Sequence, residues 1–135
     1  MHYYSNITNN RAIVSEGVHG LSNAFLDTSW PKVNHGISML SQTIDESNFQ
    51  LEDIIAIMSD KIIAPKDSLP KTGISLELER KLSPVFISMK GYGTRCSTAI
   101  RLDYDNNLEF LEVSYDESAH PTSTKRYELQ LNSHK

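Results

Sequence analysis

The hydrophobic period of this chain changes once, at Pro84, and that change limits the folds open to it. Before it, Val33, Ile37, Leu40 and Ile44 recur at spacings of four, three and four, which is the single apolar stripe of an amphipathic helix. After it, Val85, Phe86, Ile87 and Met89 form a β-prone run, and Tyr127, Leu129 and Leu131 alternate as strand residues do. Helices first and strands after predict an α+β class, two-layered, with helices on one face of an antiparallel sheet.

Turn and cap chemistry divides the chain further. The first ten residues are polar and without period, and an extended stretch is expected around Ala12-Ile13-Val14. Gly17 and Gly20 then break the chain, because glycine adopts backbone angles that other residues avoid. Pro31 suits a first helical turn, with Ser29 or Thr28 as its cap. A second helix is expected from about Asn48 to Asp60, with Leu51, Ile54, Ile55 and Met58 on one face and Glu52 and Asp53 suiting the helix dipole. Pro65 and Pro70 bracket a loop, and residues 75–82 predict a short third helix. The strands expected are Thr94 to Asp103, Leu108 to Ser114, and a last one through Tyr127 and Leu131. Gly91-Tyr92-Gly93 and Asp105-Asn106-Asn107 supply turns between them, and a polar loop is expected from Asp116 to Thr124.

Composition sets limits on function. With 135 residues and 39% hydrophobic content, residues 1–135 form a single unit able to bury a core without disulfides. A net charge of −4 argues against a nucleic-acid partner. The longest apolar run, Ile54 to Met58, is far short of the ~20 residues a bilayer requires, so no membrane insertion is expected. The start carries neither a basic region nor an apolar one. With Cys96 as the only cysteine, a cytoplasmic location is expected. The Asn6-Ile7-Thr8 triplet reads as a chance glycosylation match.

Several residues invite a chemical reading beside a plain one. Arg95 shares a strand face with Ser97, Ala99 and Arg101; small neighbours leave room for a ligand carboxylate, while the plain reading is an ion pair with an acid such as Glu112. Cys96 alternates onto the face of Thr98, Ile100 and Leu102, which predicts a small core residue rather than a nucleophile. Asn23 in its Gly-rich segment could bond its own backbone or aim its amide at a substrate. His19 borders a pocket or stands by, Tyr92 is a hairpin tip or a lid, and Trp30 anchors the entry to the first helix. The histidines at positions 2, 19, 35, 120 and 134 show no metal-ligand spacing, so neither a metal nor a cofactor is expected. His19, His35, Met39 and Cys96 are only loose candidates for haem ligation.

Two segments are more specific. Gly20-Leu21-Ser22-Asn23-Ala24-Phe25-Leu26-Asp27-Thr28-Ser29-Trp30-Pro31-Lys32 and Tyr92-Gly93-Thr94-Arg95-Cys96-Ser97-Thr98 occur in this order, about seventy residues apart. Together they closely resemble the Asn-Arg-Asp-Glu (NRDE) family, which includes the transport and Golgi organization 2 homologues. Glu79 before Leu82-Ser83, Phe86-Ile87 and Phe110-x-Glu112 support the match, which runs from about Gly17 to Leu131. Family members are about twice this length and open with Met-Cys and the Asn-Arg-Asp-Glu signature. Here residue 2 is His2, so the chain looks like the C-terminal half of such a protein, with the N-terminal half and its nucleophile absent.

The resemblance implies a fold and a chemistry. The family resembles N-terminal-nucleophile hydrolases, whose layers run helix, sheet, sheet, helix (αββα), so this chain would supply part of that stack. Asn23 would then stand in the oxyanion hole and Arg95 would steady the nucleophile or substrate; His19, Tyr92 and Ser97, read from their own positions, are the candidate substrate-binding residues beside them. Ala24 replaces the proline those acylases carry, which makes the match to them distant. Three expectations follow. The complete protein could be a cysteine-dependent amidohydrolase of which this chain alone is inactive. It could instead be a non-catalytic binding or trafficking module, haem- or lipid-related, taking a small-molecule ligand. The chain could also self-associate, because half of a layered fold leaves an apolar sheet face open.

Overall fold

The computed structural model describes residues 1–46 and 48–132; His134, one of the histidines weighed above, lies outside them. The chain opens with an antiparallel hairpin of β1 (His2–Ser5) and β2 (Asn10–Ile13), with His2 opposite Ile13 and Ser5 opposite Asn10. Strand β2 falls on the expected extended stretch, whereas β1 was not expected, because its polar residues show no alternation. The helices are α1 (Pro31–Ile44), α2 (Leu51–Met58) and α3 (Leu76–Lys81), with a short 3₁₀ turn at Lys66–Ser68.

Helix α1 begins at the predicted proline, but its cap is Trp30, in extended conformation, and not Ser29 or Thr28. The Thr28 hydroxyl is turned to donate to the Phe25 carbonyl at 2.8 Å, which closes the preceding turn. Helix α2 carries the whole expected apolar face but is shorter than the expected span from Asn48 to Asp60. The Gln50 N–H donates to the Asp53 carboxylate at 2.7 Å, which sets its start, and the backbone leaves the helix at Ser59.

A small ladder joins β3 (Ser88–Met89) to β4 (Tyr92–Gly93). Gly91 takes a φ of +77° in its turn, and a side chain at Gly93 would meet the Ile87 carbonyl at 2.9 Å. The main sheet is antiparallel, in the order β5 (Cys96–Leu102), β6 (Asn107–Tyr115), β7 (Pro121–Gln130). Thr98 faces Glu112, Ala99 faces Leu111, and Phe110 faces Tyr127. Asn106, at φ +63°, turns β5 into β6 as the Asp-Asn-Asn run predicts. The loop before β7 closes by His120, so β7 includes residues expected to be loop.

Helix α2 lies on β5 and β6, and α1 lies on α2, giving the α+β class with helices on one sheet face. The centre of the core is Leu51, fully buried against Ala99 and Leu111, with Ile54 and Ile55 beside it. Arg101 fastens the same end: it donates to the Phe49 carbonyl at 3.1 Å, covers the Phe49 ring and pairs with Glu109 at 2.7 Å. Phe86 meets Tyr115 edge to face at 4.8 Å between ring centres.

One sheet face differs from its expectation. Ser97 and Ala99 are buried under α2, whereas Cys96, Ile100 and Leu102 are exposed. Cys96 is therefore a surface residue and not a core one. The helix must approach the backbone closely to seat Leu51, so the small side chains face it and the larger ones point to the open face.

Truncation of the core side chain measures this arrangement. Leu51→Ala is expected to lower unfolding stability by about 2–5 kcal/mol, read from urea denaturation. Ile100→Ala, on the open face at 58% exposure, is expected to cost well under half as much.

Candidate ligand-binding site

The loop that carries Asn23 is closed at its base by paired bonds. The Asp27 N–H donates to the Gly20 carbonyl at 2.8 Å, and the Gly20 N–H donates to the Asp27 carboxylate at 2.9 Å. Asp27 itself takes a φ of +55°, a left-handed angle that aspartate tolerates. Gly20 is required for packing as well, because a Cβ there would sit 2.6 Å from the Val33 side chain on α1.

His19 secures this closure. Its Nδ1 lies 2.7 Å from the Asp27 carboxylate and its Nε2 lies 3.1 Å from the Ser15 carbonyl. Both partners are acceptors, so both ring nitrogens donate in the protonated form. The hydrogen bond to Asp27 raises the His19 pKa above its ordinary 6.5, and the Ser15 carbonyl adds to this. The hydrogen bonds from His19 and then from the Gly20 N–H lower the Asp27 carboxyl below its ordinary 3.8.

Beyond the clamp, two cavities meet at Asn23. One, of about 220 Å³, lies between Trp30, Lys32, Thr72, Glu79 and Tyr92, with Asn23 at its edge. The other, of about 360 Å³, runs between α1 and α2 and is lined by Ile37, Leu40, Ile54 and Ile57, with His19, Asn23 and Lys32 at its mouth. Asn23 is exposed, and among the described residues its amide makes no hydrogen bond, in contrast to the self-bonded turn considered above.

Lys32 borders both cavities and was not singled out from the sequence. Its ammonium donates to the Leu82 carbonyl at 3.3 Å and lies 5.8 Å from the centre of the Trp30 ring. Burial lowers its pKa. A lysine in the first turn of a helix opposes the helix dipole, and this was the available signal. Glu79 forms the acidic wall; it is buried and accepts from both the Thr72 N–H and its hydroxyl, at 2.9 and 2.6 Å.

The remaining sequence candidates fall in separate places. Tyr92 is exposed and borders the first cavity on one side, and on the other a shallow groove shared with Arg95, Asp116 and Glu117. Arg95 is exposed and forms no ion pair among the described residues. Glu112, the partner considered for it, accepts from the Thr98 hydroxyl at 3.1 Å on the opposite sheet face. Ser97 is buried beneath the helices with its hydroxyl unpartnered, away from the cavities at Asn23. His35 pairs with Asp60 at 3.0 Å, and Cys96 lies on the open sheet face, so the loose haem candidates do not converge on one cavity. Among the described residues no cluster of acids, cysteines and histidines could hold a metal ion, and no helix is long and apolar enough to cross a membrane.

Fold and site together define a small α+β unit that opens a mixed polar and apolar cleft beside a clamped loop. The sequence profile of the Transport and Golgi organisation 2 family matches residues 1–117, and the chain belongs to that family. The chain is 31% identical to the human "Transport and Golgi organization protein 2 homolog" over 130 residues, covering 90% of this chain and 47% of the relative. It is 28% identical to the mouse homologue over 141 residues, covering 97% of this chain and 51% of that protein. The chain thus spans about half the length of the curated relatives it matches. The profile also takes in the opening hairpin, where no motif was visible.

The clamp predicts a definite pH response. Because the folded-state pKa of His19 lies above 6.5, its contribution is complete below that value and is lost as pH rises through the raised pKa. The Asp27 contribution is complete above 3.8 and is lost as pH falls through the lowered pKa. In an NMR titration the His19 midpoint is expected above 6.5, and Asp27→Asn is expected to bring it back toward that value.

Proposed function

We propose that this chain is the C-terminal, ligand-binding half of a family protein and that it holds a small molecule with an apolar body and a carbonyl or carboxylate end. The observation that carries this reading is the unengaged Asn23 amide at the junction of two cavities, beside the half-buried Lys32. An amide N–H₂ and an ammonium together suit an oxygen-bearing group, and the Ile37, Leu40 and Ile57 walls suit its apolar remainder. A span of half the relatives' length supports the reading as one half of a larger unit.

Amide hydrolysis belongs to the complete protein in this reading. An N-terminal cysteine would attack the carbonyl, Asn23 would donate to the developing oxyanion, and Arg95, reached past Tyr92, would hold the distal end of the substrate. Such a unit would resemble part of an αββα N-terminal-nucleophile hydrolase. In this reading Cys96 is not the nucleophile, because it lies on the open sheet face and lines neither cavity at Asn23. The one cysteine, exposed and unpaired, is consistent with a reducing, cytoplasmic setting.

The same reading includes self-association. The open face of the sheet exposes Ile100, Leu102, Tyr127 and Leu129 at more than half of their surface each. A row of this kind in an isolated chain favours contact with a second copy.

Phenylacetamide serves as a probe of the site. Its binding is expected to shift the Asn23 and Tyr92 side-chain resonances, and Asn23→Ala is expected to weaken it about fivefold, the effect of one lost hydrogen bond. The isolated chain is expected to release no phenylacetate from it. Release that Cys96→Ala abolishes would overturn the division of roles.

A further inference from the structure

The outer edge of β7 is self-complementary. Strand β7 has ten residues, is exposed along its whole length, and pairs with β6 on one side; among the described residues no strand pairs with its other edge. Helix α2 covers β5 and β6, so β7 extends beyond the helical layer.

The geometry points to a homodimer in which β7 pairs antiparallel with β7 of a second copy about a two-fold axis at Tyr127, joining two three-stranded sheets into one of six. This rests on the self-association proposed above and places the contact at the strand edge beside the open face, which it extends into the second copy without covering it. A two-fold axis perpendicular to the sheet keeps each face on its own side, so it must pass through a residue and not between residues. Centred on Tyr127, it sets Arg126 opposite Glu128 of the second copy twice, Lys125 opposite Leu129, and Thr124 opposite Gln130. Moving the axis one residue earlier sets Arg126 against itself, and one residue later sets Glu128 against itself. The Tyr127 register alone places opposite charges face to face, which is the favourable cross-strand pairing.

Glu128 stands opposite a like charge within the chain, which is a second indication. Glu128 lies directly across the ladder from Glu109, a like-charged pair, while Glu109 is engaged by Arg101. Its own cation, Arg126, reaches it only at 3.6 Å, because the guanidinium is directed to Glu52 at 2.7 Å. Arg126 of a second copy, opposite Glu128, offers it the guanidinium nitrogens that the Glu52 contact, made through Nη1, leaves open. Tyr127 of the two copies then meet on the open face, continuing the row that begins with Phe110, whose ring lies 5.8 Å from Tyr127.

The test is a charge exchange read by light scattering. The wild-type chain is expected to run at twice its mass. Arg126→Glu alone and Glu128→Arg alone each set like charges opposite one another, and each is expected to weaken the dimer at least tenfold. Mixing the two variants sets opposite charges together again and is expected to restore a dimer holding one copy of each. A wild-type monomer at every concentration would remove both this interface and the self-association. A dimer that survives both reversals would remove the interface and leave the self-association standing. A second variant serves if a reversal unfolds the chain: Tyr127→Cys in a Cys96→Ser background is expected to cross-link under mild oxidation, whereas Lys125→Cys in that background is not. Equal cross-linking of both would also overturn the register.

Discussion

The packing of Leu51 against Ala99 and Leu111 is the contact on which the rest of the molecule depends. A helix of only eight residues has little stability of its own, so α2 persists because its apolar face is buried. That burial needs a close approach to the sheet, and the alanine at position 99 permits it. Around this point the charged residues act as fasteners: Arg101 ties the start of α2 to β5, and the His35–Asp60 pair ties α1 to the segment that follows α2. The helical layer is therefore narrow, two strands wide, and β7 lies outside it.

The alternation of β5 was legible as two faces, but which face the helices cover was not. Large apolar residues usually mark the core, and Ile100 and Leu102 drew the reading to the wrong side. The deciding quantity was the distance between α2 and the backbone, a tertiary property that no single strand records. The helical stripe was easier to read, because Val33, Ile37 and Leu40 repeat locally, and α1 starts at its proline. Strand β1 left no trace in the sequence, since a two-stranded hairpin of polar residues is held by backbone bonds that carry no side-chain pattern.

The motifs led to the two cavities at Asn23, and the structure adds residues to those they named. Asn23 and Tyr92, some seventy positions apart, border one cavity. Lys32 lies within the first quoted segment and passed unnoticed, because its significance comes from the cavities on either side of it. Asp27 also lies within that segment without a role of its own, whereas its work is to close a ring with Gly20 and His19. A contact eight residues away, made by a side chain at a left-handed backbone position, has no period to reveal it.

The strongest element contacts run in sequence: sheet to α2, α2 to α1, and α1, through Gly20 and Val33, to the loop that bears Asn23. Elements joined in series share load as links of a chain do, and the stiffness at the far end is set by the softest link. The loop can therefore be held rigidly to α1, while the cavity between α1 and α2 changes shape with any tilt of α1 on the α2 contact. Movement within the cleft would then originate at the α1–α2 seam, several elements away from the sheet whose strands give the molecule its form.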